Sequence, residues 1–339
     1  MIVKLNLSMS NSRKNFLSKI VLFILGFFIL EFIIGSIFTY MHNYNLNSGF
    51  HTKLMWDDLY NKEDYSLDLV FSGSSHAMES FDPEIFDQAL NIESFNLGTA
   101  AQKPQTGYYI LQHVLQTQQP KLVVFEVYWA VMGTDYYPKQ AVENMELIQD
   151  KSISKALFKD ALSLKDQVLY QFKSYWYRGD ISTFLKNIQG PVKSPYRYYK
   201  ENGYVYSSTI FDSKDLKEHL ARTGPIVMDP LNTEEGSQAY YLEKSIQLCQ
   251  ERNIEVLLVT SPLCPTYMQA VENYKETHET IQNIADKYQI EYMDYNIINE
   301  KEQLIKDENF RDRSHLNYSG VKIMNNHLIN YLIENNYFT

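Results

Sequence analysis

Two stretches, far apart in the chain, hold the residue types that nucleophilic acyl chemistry needs. The first is Gly73-Ser74-Ser75-His76, which ends an apolar run over residues 67–72. The second is Asp312-Arg313-Ser314-His315-Leu316-Asn317. A serine hydroxyl is a weak nucleophile until a base removes its proton and donors receive the oxyanion. Asp312 and His315 stand three apart, a spacing that puts two side chains on the same side of one turn. The carboxylate can then hold the imidazole tautomer while the other ring nitrogen faces a serine. His76 is the poorer base, because adjacent side chains in a tight turn point apart. Each stretch also has a plain reading. Gly-Ser-Ser is ordinary turn chemistry, and Asn317 reads as the cap of a final helix.

The elements that must position these residues alternate between strand and helix patterns. Residues 67–72 are apolar without alternation, as in a strand buried on both faces of a parallel sheet. Further strands are expected at 121–128, 254–260 and 291–295. Helices are expected at 105–118, 240–252, 271–288 and 318–335. Asp82-Pro83-Glu84 starts another helix, with a cap, a proline in the first turn and an acid beside it. This rhythm predicts an α/β fold with a mainly parallel sheet. Ligands in such sheets bind beyond the carboxyl ends of strands, where Ser74 and Ser75 fall.

Between about residues 135 and 235 the rhythm breaks. Residues 142–187 look helical, and 194–208 (SPYRYYKENGYVYSS) are polar and dense in tyrosine. The stretch reads as an insertion, a lid or cleft wall whose tyrosines stack on sugar rings. The equal alternative for its tyrosine-rich part is a β-hairpin turning at Asn202-Gly203.

From Ile20 to Phe38 the only ionisable residue is Glu31, and fifteen Leu, Ile, Phe or Val residues lie between Ile20 and Tyr40. Such a run crosses roughly 30 Å of hydrocarbon as a helix. Lys4, Arg13, Lys14 and Lys19 precede it, which places the N-terminus in the cytoplasm. The expected organisation is a cytoplasmic tail (1–15), an uncleaved transmembrane anchor (16–41), a linker (42–65) and an extracytoplasmic domain (66–339). A cleaved signal peptide is the rival, but Gly35-Ser36-Ile37-Phe38-Thr39 is a poor cleavage site. Glu31 is either tolerated in the span or meets a polar residue of a membrane partner. Residues 1–50 carry four basic side chains and one acidic, which leaves 27 basic and 40 acidic of the chain's 31 and 41. So acidic a domain excludes nucleic-acid binding by phosphate neutralisation. Cys249 and Cys264 are too few for a disulfide framework or a zinc ribbon.

Ser75 in F-S-G-S-S, Gly98 in F-N-L-G-T-A and Asp312-x-x-His315-Leu-Asn resemble, in order, three marker blocks of the SGNH (GDSL-like) hydrolases. The resemblance covers roughly residues 66–130 and 240–335. It implies a flavodoxin-like three-layer fold and aligns Ser75, rather than Ser74, with the nucleophile. Asp312 and His315 align with the rest of the triad. The backbone N–H groups of Ser75 and Gly98 align with the oxyanion hole. No cofactor or metal is implied.

One block departs from the family. Its third block supplies an oxyanion-hole asparagine, whereas this strand ends Phe125-Glu126-Val127-Tyr128-Trp129. Losing one such donor costs a factor of about 10²–10³ in rate. Tyr128 could donate instead, Glu126 only if protonated, and Trp129 reads equally as core. Tyr128, Trp129 and His76 are the candidates for contacting substrate. The departure and the anchor resemble the branch that holds DltD and the PatB and AlgJ/AlgX-type proteins. That branch implies acyl transfer to a cell-surface polysaccharide or teichoic-acid-like polymer, beside a membrane-bound O-acyltransferase partner. An extracytoplasmic carbohydrate esterase and a non-catalytic binding or assembly module are the other two expectations.

Overall fold

The computed structural model describes residues 11–133, 137–190 and 194–338. Most of the expected cytoplasmic tail, including Lys4, lies outside them. The chain divides into two compact units, residues 1–48 with 163–192, and 49–162 with 193–339.

The second unit is α/β. Its five-stranded sheet is built from β1 (Leu69–Ser72), β2 (Ser94–Asn96), β3 (Leu122–Glu126), β6 (Glu255–Thr260) and β7 (Glu291–Asp294). A separate hairpin holds β4 (Arg197–Tyr199) and β5 (Val205–Ser207). The sheet order is β2-β1-β3-β6-β7, and every pair is parallel. Leu69 lies between Ser94 and Leu122, and Leu122 faces Glu255. Counted within the sheet this is the order 2-1-3-4-5, whose strand direction of travel reverses between β1 and β3. The crevice beyond the carboxyl ends opens there. All four residues of β1 and all five of β3 are buried, which explains their unbroken apolar runs.

Local signals set the helix ends. Asp82 accepts the Glu84 N–H and Pro83 opens the helix Pro83–Leu90, which closes on Asn91 in the left-handed conformation. Asn317 accepts from Ser319 and Gly320 at the start of helix Tyr318–Glu334. That helix is tied to the site-bearing segment by Asn325, which bonds the Ser80 carbonyl (2.6 Å) and the Asp82 N–H (2.9 Å).

Two regions differ from the sequence expectation, and in a third the hairpin alternative at Asn202-Gly203 is the one found. The stretch read as a linker contains helix His51–Tyr60, whose Trp56 is fully buried and donates to Asn144 Oδ1 at 3.1 Å. The 135–235 stretch is not one body. Helices Pro138–Leu147 and Lys151–Ala161 belong to the α/β unit, whereas residues 163–190 belong with the N-terminal helix. The tyrosine-rich part is the β4–β5 hairpin. Its turn packs on the free edge of β2, where Asn96 N–H donates to the Asn202 carbonyl at 2.9 Å. Gly203 is required there, because a Cβ would lie 1.7 Å from the Asn96 carbonyl oxygen.

The first unit is built on helix Asn11–Asn47, with short helices Leu164–Leu169, Lys173–Trp176 and Ile181–Asn187. Glu31 finds its partner in its own chain, accepting the Ser174 N–H at 3.1 Å and the Ser174 hydroxyl. The stretch Lys14–Asn47 is long and apolar enough to cross a membrane.

Candidate active site

Ser74 and Ser75 leave the end of β1 and enter the short helix Ser75–Ser80. Ser74 caps it, its Oγ accepting the His76 N–H at 3.2 Å and donating to Glu126 Oε2 at 3.1 Å. Gly73 lets this turn cross the end of β3, since a Cβ would meet the Glu126 Cβ at 2.7 Å. Ser74 is therefore buried and turned downward. Ser75 is half-buried, and as first residue of the helix its N–H has no intrahelical acceptor.

The Ser75 Oγ lies 2.9 Å from His315 Nε2, across 240 residues of sequence. His315 Nδ1 is 3.0 Å from both Asp312 carboxylate oxygens. The Asp312–His315 pairing does not come from a helical turn. Asp312 Oδ1 accepts the N–H groups of Ser314 and His315, each at 2.9 Å, an Asx-type turn. The loop is closed behind it by Arg311 N–H to the His315 carbonyl at 2.9 Å. Burial alone would raise the Asp312 carboxyl. The His315 hydrogen bond and charge, the Ser314 amide and the Arg311 guanidinium outweigh burial and hold it well below the usual carboxylate range.

Sequence reasoning missed the brace beneath this loop. Glu79, one turn after Ser75 and only 1% exposed, accepts from Arg311 Nη2 at 3.0 Å and from Arg311 Nε. Arg197 of β4 adds a third contact to Glu79 at 2.7 Å. Arg311 also pairs with Asp312 Oδ2 at 2.7 Å. One guanidinium thus links the helix that carries Ser75 to the loop that carries Asp312 and His315. The only sequence signal was an arginine adjacent to Asp312. Nothing in Met78-Glu79-Ser80 marks a buried acid.

Gly98 is not the free oxyanion donor that the resemblance implied. Its N–H donates to Asn96 Oδ1 at 2.9 Å, while Asn96 Nδ2 is held by the Ala77 and Phe81 carbonyls at 2.7 and 2.9 Å. Gly98 instead permits close packing, since a Cβ would lie 2.6 Å from Met78 N and 2.9 Å from the Ser74 carbonyl. Gly98→Ala should therefore displace the Ser75 helix and destabilise the protein by about 1–3 kcal/mol. A lowered midpoint of thermal unfolding checks this, and an unchanged midpoint would refute it.

His76 offers no face to a substrate. It is buried, with its ring stacked 3.6 Å from Tyr128 and 4.4 Å from His315. Burial first, then the His315 charge, holds its imidazole well below the ordinary histidine value, so it backs His315 as a neutral plate. Tyr128 is half-buried with one face covered by His76, and Trp129 packs edge-on to Tyr128 at 5.7 Å. The Trp129 Nε1 is buried with no hydrogen-bond partner among the described residues. A groove of about 1240 Å³ passes Lys217, Met268, His278, Asn299 and Asp307, but Ser75, Asp312 and His315 do not line it. Cys249 and Cys264 are separate, buried thiols.

Glu126, in the strand end that lacks the third-block asparagine, is buried under the Ser74 turn. Burial pushes its carboxyl up to about 8, against the opposing hydrogen bonds from Ser74. The folded chain therefore keeps a proton that the unfolded chain releases above its ordinary value of 4.5. Stability contributed by this group is full below that value and is lost as pH rises to about 8. Glu126→Gln, neutral at every pH, should flatten the fall in thermal midpoint between pH 5 and 9. An equally steep fall in the variant would show that Glu126 is ionised at neutral pH.

One family model matches residues 230–337, the stretch that contains Asp312 and His315. No curated protein matches the chain in sequence. Solved structures that match include a proposed acylhydrolase from Bacteroides fragilis, at 11% identity over 81% of this chain and 93% of that one, TM-score 0.36. A GDSL-like lipase from Bacteroides thetaiotaomicron matches at 10% identity over 83% and 97%, TM-score 0.35. A gut microbial diltiazem-metabolizing enzyme matches at 11% identity over 79% of this chain and 47% of its own, TM-score 0.34. At such identity and overlap, roles for Ser75, His315 and Asp312 are argued from their own distances.

Proposed function

We propose that this protein is a membrane-anchored serine acyltransferase that moves an acyl group onto a hydroxyl of a cell-surface glycopolymer. The observation that carries the reading is the contact chain Ser75 Oγ to His315 Nε2, and His315 Nδ1 to Asp312. In the first half-reaction, Ser75 Oγ attacks the acyl carbonyl and its proton passes to His315 Nε2. Asp312 fixes the tautomer and stabilises the imidazolium. The tetrahedral oxyanion forms beside the Ser75 N–H. Collapse expels the leaving group, which takes the proton from His315. In the second half-reaction, His315 removes a proton from the acceptor hydroxyl, which attacks acyl-Ser75 and restores the serine. With Gly98 N–H occupied and the third-block asparagine absent, oxyanion support is thin. That favours a reactive acyl donor over a stable ester.

An uncleaved anchor is supported by the contacts of residues 27–44 with residues 172–184, which a removed leader would not make. In this reading the α/β unit is extracytoplasmic, surface polymers supply the acceptor, and a membrane-bound O-acyltransferase would supply the acyl group. Water in place of the sugar hydroxyl gives the esterase reading, favoured only by the part-exposed setting of Ser75 and His315.

The test uses the full chain in lipid, an activated acetyl ester and either water or an oligosaccharide as acceptor. Acyl-Ser75 by mass spectrometry and esterified oligosaccharide are expected. Hydrolysis alone selects the esterase, and no adduct on a folded protein selects the non-catalytic module.

A further inference from the structure

Residues 163–190 have no part in the acyl chemistry, and they run back along the N-terminal helix. The Phe172 ring lies 6.1 Å from Phe27, and Ser174 meets Glu31. Tyr177 stacks on His42 at 4.1 Å, and Phe184 packs edge-on to Tyr40 and Tyr44 at 6.2 and 5.2 Å. These contacts climb the helix from residue 27 to residue 44, about 25 Å at 1.5 Å per residue. The apolar run 20–38 is the part that would lie in hydrocarbon. Phe172 and Ser174 are therefore level with its interior rather than beyond its end.

Polar groups at that level are paired. Glu31 takes both the N–H and the hydroxyl of Ser174, and the Lys173 ammonium lies 3.1 Å over the Tyr170 ring. Irregular backbone at membrane depth survives only where protein satisfies it, and an intramembrane acid needs a partner. Gly35 permits the approach, since a Cβ there would come within 3.3 Å of Lys173 Cβ.

The far side of the same segment leaves large apolar side chains uncovered, with exposed Lys165, Ser182, Thr183 and Lys186 among them. Ile181, Leu185 and Ile188 follow helical spacing and are 36%, 50% and 50% exposed, while Leu164 and Val168 are 82% and 60% exposed. Phe184 occupies the face turned to the long helix. Large apolar side chains left bare opposite a packed face are what a lipid setting covers. Trp176 and Arg178, beside the Tyr177 that stacks on His42 past the end of the apolar run, are of the aromatic and basic types that favour a membrane interface.

The geometry points to residues 163–190 as a re-entrant membrane element, seated against the anchor helix and covered by lipid. Lipid is the occupant because the uncovered face shares its unit with a helix whose Leu22, Phe23 and Phe32 are equally bare. This rests on the anchor reading and explains Glu31, which a simple anchor does not need.

The test uses the full chain in phosphatidylcholine–phosphatidylglycerol vesicles. An environment-sensitive fluorophore is attached singly at Ile24→Cys, Val168→Cys, Leu185→Cys or Glu235→Cys. Cys249 and Cys264 are buried and escape labelling. Labels at Ile24, Val168 and Leu185 should lose most of their emission to lipid-borne spin labels and little to aqueous iodide, with Glu235 the reverse. Iodide quenching at Val168 and Leu185 with lipid quenching at Ile24 would overturn the re-entrant element and leave the anchor standing. Protection of Val168 and Leu185 from both quenchers would mean that a second protein copy covers the face, and also overturns it. Iodide quenching at Ile24 would remove the anchor and the inference together.

Discussion

Ser75→Ala is expected to leave a folded protein whose turnover of an activated ester falls on the order of 10⁴–10⁶-fold. The side chain is half-buried and its one polar contact among the described residues is the 2.9 Å bond to His315, so little folding energy rides on it. Ser74→Ala should behave in the opposite way. Its hydroxyl caps the Ser75 helix and bonds Glu126, so its loss should destabilise by about 0.5–2 kcal/mol. Its effect on turnover should be far smaller. A fluorophosphonate adduct located by mass spectrometry, with a thermal melt on each variant, separates the two serines. An adduct on Ser74, or none on either serine in a folded protein, would refute the assignment.

The second large effect is expected at the base and its orienting acid. His315→Ala should abolish acylation of Ser75, because no other imidazole reaches that hydroxyl among the described contacts. Asp312→Asn should keep the loop's amide contacts in part and still lower turnover on the order of 10⁴-fold, by favouring the wrong imidazole tautomer. His76→Ala should cost no more than about 10²-fold, the loss expected when a supporting ring is removed and a reacting group shifts by about 1 Å. Rates of acyl-enzyme formation for the three variants check the order. A His76 variant slower than the His315 variant would invert the assignment.

Local chemistry was readable without the fold. The unbroken apolar runs around Leu69 and Leu122 marked buried parallel strands, because a strand covered on both faces needs no alternation. Asp82-Pro83 and Asn317 marked helix starts, because a cap acts on amides two or three residues away. The apolar N-terminal helix was readable for the same reason of short range. By contrast, β2 carries only Ser94-Phe95-Asn96, too short and polar for a periodic signal. It is a strand because β1 offers its edge.

Tertiary structure alone decided the rest. The meeting of Ser75 with His315 depends on the sheet order that brings the end of β1 under a loop 240 residues later. The engagement of the Gly98 amide depends on Asn96, whose own orientation is set by two carbonyls of the Ser75 helix. Glu79, Arg197 and Arg311 form one ion cluster, centred on the buried Glu79, from three separate segments. Glu31 meets Ser174 across 143 residues. Periodicity and caps report what a residue does within a turn or two, whereas these contacts arise only when distant elements pack, so residue type and spacing along the chain leave them unmarked.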